Sequence, residues 1–117
     1  MKSILRAVLI LAISSTALQS QAEVTAQAEV TVRGASSCGK WVEDRQNKTD
    51  LYGRAWLLGF LSGLSSGAGA DVLKGTDNKS LYLWLENYCR KNPLSDISDG
   101  GHDLFSELAK RKKIKLN

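Results

Sequence analysis

The sequence predicts a small all-α protein, a bundle of about four helices closed by one disulfide. Three observations predict it. Apolar residues recur at helical spacing in separate stretches, as at Leu81, Trp84, Leu85 and Tyr88. Ser, Asp and Asn residues stand just ahead of those stretches, where helix N-caps belong. Only two cysteines occur, Cys38 and Cys89, placed to tie the first helical stretch to the end of the third.

The chain opens with Lys2 and Arg6, followed by an apolar or small-residue run from Ile4 to Leu18 and by Ser20-Gln21-Ala22 before Glu23. A short positive region, an apolar core too short for a span and a small-x-small site predict a secretory signal peptide over residues 1–22. Ala26-Gln27-Ala28 offers a second cleavage site. Such a leader delivers the chain to an oxidising compartment, and a bacterial periplasm is the expected location, with no stable membrane insertion after cleavage. In that compartment an even pair of cysteines reads as the disulfide Cys38–Cys89.

Residues 23–36 repeat Ala-Glu-Val-Thr twice and lack a helical period, which predicts a flexible arm with at most a short extended piece at Val30-Thr31-Val32. The helical domain is then expected over residues 37–112. Ser36 or Ser37 caps a first helix through Cys38, Trp41, Val42 and Arg45, and Asn47 to Asp50 is a turn. Asp50 caps a second helix from Leu51 to about Ser66. Gly67, Gly69 and Gly75 make a mobile connection. Asp77 or Ser80 starts the third helix, and Asn92-Pro93 ends it and opens a fourth. Leu94, Ile97, Gly101, Leu104, Phe105 and Leu108 form the apolar face of the fourth helix, with a kink possible at Gly100-Gly101.

The stretch Ala55–Ala70 carries no charge and organises the rest. On a helix, Ala55, Gly59, Gly63 and Gly67 form one stripe, and Trp56, Phe60 and Leu64 form the stripe beside it. Glycine costs about 1 kcal/mol against alanine inside a helix. The spacing is therefore read as close packing of another backbone on Gly59 and Gly63, with the Leu81/Trp84/Leu85/Tyr88 face as the partner. Gly59, Gly63, Trp56, Phe60, Trp84 and Tyr88 are the expected packing residues. The uncharged run is short for a membrane span.

The formal net charge is +4, from 16 Lys and Arg against 12 Asp and Glu. Five of the positives, Lys110, Arg111, Lys112, Lys113 and Lys115, lie at the end, with a basic tail over residues 113–117. Residues 23–109, before that basic cluster, are net negative. A basic binding surface for nucleic acid is thus not indicated, and export argues against that partner. His102 is the only histidine, and no CxxC, HExxH or phosphate loop occurs. Asp96 to Glu107 matches a calcium loop at some positions and fails where Gly100 and Asp103 stand. No metal, cofactor or catalytic residue is expected, and the protein is read as a binder of other proteins, not an enzyme, with a structural or envelope-associated role as a further alternative. A homodimer is compatible with the pattern.

The leader, Cys38, the Leu58-Gly59-Phe60-Leu61-Ser62-Gly63 stretch, Tyr88-Cys89 and the closing amphipathic helix together resemble the HdeA/HdeB-like periplasmic proteins. The resemblance spans roughly Cys38 to Leu108. It implies a small helical fold with one disulfide and an acid-activated chaperone that exposes apolar surface at low pH. The basic tail and the Gly/Ser-rich region after Gly63 depart from that pattern. The Gly-Phe-x-x-Gly and Tyr-Cys-x-x-Asn-Pro motifs are also similar to the Tai-type immunity proteins. That likeness implies a helical inhibitor of a secreted cell-wall amidase, with the Gly67–Lys74 loop as a candidate plug.

Overall fold

A computed structural model describes residues 30–116. The predicted leader and the first part of the arm lie outside the described residues. Four helices follow one another: α1 (Cys38–Asn47), α2 (Leu51–Ala68), α3 (Asn78–Lys91) and α4 (Ile97–Arg111). No strand is present among the described residues, and the all-α class expected from the sequence is the one found.

Local chemistry sets the boundaries. The Ser37 hydroxyl accepts the Lys40 N–H at 3.2 Å and starts α1. Lys48 ends it in the left-handed region, with φ 57°. Its N–H turns back to the Arg45 and Asp44 carbonyls, the hydrogen bonding that closes a helix C-terminus. Asp77 accepts the Ser80 N–H at 3.0 Å and the Ser80 hydroxyl at 2.6 Å, fixing the start of α3. Asp96 does the same for α4, accepting the Ser98 and Asp99 N–H groups at 2.9 and 3.1 Å. The expectation that Asn92-Pro93 opens α4 is therefore corrected. Asn92 caps the end of α3, and the new helix waits for an aspartate that satisfies two of its free N–H groups. Leu94, placed on the apolar face by that earlier start, is instead fully exposed.

The core is built from one stripe of each helix. α1 supplies Cys38 and Trp41, α2 Leu57 and Leu61, α3 Leu81, Tyr82, Leu85 and Cys89, and α4 Ile97, Leu104, Phe105, Leu108 and Ala109. α3 packs against α1 and α4, and α2 packs against α4. The expected packing of the α2 glycine stripe on the Leu81/Trp84/Leu85/Tyr88 face is thus not found, and α2 is seated on α4. Gly100 and Gly101 make that possible without breaking the helix. A Cβ at Gly100 would lie 2.7 Å from Tyr88 Cδ1, and one at Gly101 would lie 2.8 Å from the Phe60 ring. The pair is where α3 and α2 approach α4, and α4 runs through it unbroken.

Cys38 and Cys89 form the predicted disulfide, with Cα atoms 4.8 Å apart and both residues buried. It closes 51 positions of sequence, which on the loop-entropy account contributes about 4 kcal/mol. A second clamp lies beside it. The Cys38 N–H donates to Ser95 O, and the Ile97 N–H donates to Ser36 O, both at 2.9 Å. Together they join the starts of α1 and α4 through the Ser37–Asp96 bridge. The α2–α3 connection is also anchored: Val72 is fully buried, and Asp71 accepts the Lys74 N–H at 3.1 Å. Lys112 reaches the Lys74 carbonyl from the start of the tail. The proposed plug at Gly67–Lys74 thus has Val72 in the core, and Gly67 itself is helical.

Candidate functional site

Gly59 and Gly63 do not pack against another helix of this chain. An added Cβ at Gly59, Gly63 or Gly67 would meet nothing within 4 Å, and all three positions are exposed. The reason is the direction of the apolar arc on α2. Leu57 and Leu61 are fully buried and point to α4 and the core. At about 100° per residue, Gly59 lies about 200° round the helix from Leu57, on the far side. The stripe Ala55, Gly59, Gly63, Gly67 is real, but it faces out.

Beside the stripe stands a wall of aromatic residues, one per turn: Tyr52, Trp56 and Phe60. The Trp56 and Phe60 rings stack with centroids 4.8 Å apart and planes within 16°. Phe60 then meets the edge of His102 from α4 at 5.0 Å. The arm runs along the same edge. Trp56 Nε1–H donates to Arg33 O at 2.8 Å and the Tyr52 hydroxyl donates to Gly34 O at 3.3 Å. These bonds fix the last residues of the arm against α2. A groove of about 460 Å³ lies between them, lined by Val32, Arg33, Ala55, Trp56, Gly59 and Phe60. Leu51 and Tyr52 extend the apolar surface toward the start of α2, 73% and 66% exposed.

An 18-residue helix is about 27 Å long. From Ala55 onward its outer face has no charge to desolvate, and its glycines let a second backbone come close. No helix among the described residues is long and apolar enough to cross a membrane.

The other end of α2 is held by charge. Asp50 precedes the helix but makes no capping bond through its side chain. Its carboxylate accepts from Arg45 Nη1 at 3.0 Å and pairs with Arg54 Nε at 3.4 Å. Arg45 Nε also donates to Glu86 at 3.2 Å, and Arg90 Nη2 donates to the other Glu86 oxygen at 2.8 Å. Both Arg45 and Arg54 sit over the Tyr82 ring, 5.9 and 5.7 Å from its centre. The Arg90 hydrogen bond, with the further one from Arg45, holds the Glu86 carboxyl below its usual pKa against the effect of burial. This network joins α1, α2 and α3, and sequence spacing alone did not reveal it, because its partners come from three helices.

Of the remaining expected packing residues, Trp56 and Phe60 pack at the edge of the core as described. Trp84 and Tyr88 are half-buried on α3, their rings nearly parallel at 12° with centroids 5.8 Å apart. Tyr88 packs on Gly100 of α4. Compared with family models, with curated proteins and with solved structures, the chain matches none.

Proposed function

We propose that this chain is a small non-catalytic binding protein of an oxidising compartment, of the HdeA-like periplasmic kind, and that it holds other proteins on the outer face of α2. One observation carries the reading: the uncharged stripe Ala55–Gly59–Gly63–Gly67 faces out, walled by Tyr52, Trp56 and Phe60. Three exposed helical glycines cost the fold about 1 kcal/mol each relative to alanine, with no intramolecular packing gained in return. A partner segment that approaches closely gives them a use. Acid sensitivity fits the same reading, since Glu86 bonds through Arg45 to α1, and protonation weakens that tie.

A second reading, a Tai-type inhibitor of a secreted cell-wall amidase, is favoured by the same face being formed already in the closed bundle. The two separate in a client assay. Aggregation of an acid-denatured client enzyme is followed by light scattering at pH 2.5 and at pH 7, with the wild type and with Gly63→Arg, which stays charged at both. The chaperone reading expects suppression at acid pH and its loss in the variant, whose new side chain has open space in the fold. No suppression at either pH overturns it. Suppression unchanged by Gly63→Arg and by Gly59→Arg removes α2 as the docking face.

A further inference from the structure

A second surface has different chemistry. Trp84 and Tyr88 lie one turn apart on α3, beside α4. Three depressions meet at Trp84. The largest, about 520 Å³, is lined by Trp84, Tyr88, Asn92, Asp103, Ser106, Glu107 and Lys110. One of about 290 Å³ continues along the end of α3 past Asn87 and Lys91. One of about 220 Å³ runs the other way, to Thr76 and Ser80. Together they form a groove with an aromatic floor and a polar rim, in the size range of small-molecule clefts, about 300–1,000 Å³.

The details narrow the ligand. A centroid separation of 5.8 Å between near-parallel rings means that the rings are offset and do not eclipse each other. Each keeps part of its face uncovered by the other. Around them, the side chains of Asp103, Ser106 and Asn87 make no hydrogen bond within the described residues, and Asn92 uses only its amide nitrogen, donating to Tyr88 O at 2.9 Å. Glu107 gives one oxygen to Arg111. The rim thus presents carboxylates, a hydroxyl and amides with spare bonding capacity. Its charges are mixed: Asp103, Glu107 and Lys110 line the α4 side, and Lys91 stands on the α3 side. Neither a strong anion nor a strong cation suits it, and an apolar helix would leave the polar rim desolvated and unpaired. A pyranose answers both parts. Its C–H face stacks on an aromatic ring, and its hydroxyls both donate and accept.

We infer that the α3–α4 groove binds a neutral oligosaccharide, stacked on Trp84 and Tyr88 and hydrogen-bonded by Asp103, Asn87 and Asn92. This site lies on different helices from the α2 face and stands whether or not that face docks a protein.

The test uses the oxidised protein and defined probes. N-acetylchitotetraose and cellotetraose are titrated while the indole N–H and backbone resonances are followed by NMR. One of the two probes should give saturable shifts at the Trp84 indole and along residues 84–92 and 103–110, with Trp56 unmoved. Trp84→Leu should weaken binding at least tenfold and Asp103→Ala several-fold, while Trp56→Leu leaves it unchanged. Asp103 is exposed, so Asp103→Ala decides the question if Trp84→Leu fails to fold. No saturable shift with either probe at millimolar concentration overturns the inference. So does binding that Asp103→Ala and Trp84→Leu both leave intact. A response to adenosine monophosphate with none to the oligosaccharides would reassign the groove to a nucleotide and overturn the saccharide reading.

Discussion

The ten glycines of this chain divide by what a methyl group would meet, and that division predicts opposite signs for the same substitution. At Gly59 and Gly63 a new Cβ meets nothing within 4 Å. Gly→Ala there gains helix propensity and narrows the unfolded ensemble, about 1 kcal/mol at each site. For a domain of this size a gain of 1 kcal/mol raises Tm by about 4–8 °C. At Gly100 the same Cβ runs into Leu85 Cδ1 and lies 2.7 Å from Tyr88 Cδ1. Leu85 is fully buried, so its methyl can move only against other core side chains, whereas the half-buried Tyr88 ring can shift outward. Overpacking of this kind costs about 1–3 kcal/mol, which outweighs the propensity gain. Gly53→Ala is a milder case, with Trp41 ring carbons at 3.0 and 3.1 Å. Urea melts of the oxidised protein measure all of these on one scale. The midpoint should rise for Gly59→Ala and Gly63→Ala and fall for Gly100→Ala. A fall for Gly59→Ala would refute the reasoning, because it would mean that something packs on the stripe in solution. Dilution would then show whether that something is a second copy.

Three further outcomes follow from particular contacts. Cys38→Ser should lower stability by about 4 kcal/mol, read from denaturant melts, and the unreduced wild type should show no thiol open to alkylation. Lys48→Gly should raise stability by up to about 1 kcal/mol, since Lys48 sits at φ 57° and glycine adopts that conformation without a Cβ clash. Hydrogen bonding from Arg90 lowers the folded pKa of Glu86, and hydrogen bonding from Ser98 lowers that of Asp96. The unfolded chain therefore binds these protons first as pH drops, so their stabilisation is complete above the ordinary carboxylate range of about pH 4 and is lost below it. Glu86→Gln should lower stability at pH 7 and flatten its fall between pH 5 and pH 2 in melts across that range.

The fold was legible because its signals are local. Ser37, Asp50 and Asp77 stand where a helix must satisfy its first N–H groups or be entered from a turn, and the two cysteines allow only one pairing. The start of α4 was missed because Asn92-Pro93 is a good opening by composition. Asp96, three residues beyond Pro93, satisfies two N–H groups at once, and a Leu94 left in water did not outweigh that.

The site was half legible, and the reason is geometric. Periodicity says which residues share a stripe of α2, and the stripe Ala55–Gly59–Gly63–Gly67 exists as read. It does not say which way the stripe faces. That direction follows from the large residues: Leu57, Leu61 and Leu64 cluster about one direction, and Gly59 and Gly63 lie on the other side of the helix. Weighing the cost of glycine in a helix suggested burial, yet close contact was needed elsewhere, at Gly53 under Trp41 and at Gly100 and Gly101 on α4. Gly101 falls in the apolar period of α4, but beside Gly100 it also reads as a possible kink, because adjacent glycines weaken a helix. Only the arrival of Tyr88 from one helix and Phe60 from another gives each of them its role. Glycines that a fold needs for packing are therefore found by asking which bulky ring lies against them. Gly59, Gly63 and Gly67 have no such ring and no positive φ, and on the outer face of α2 they stand in open space.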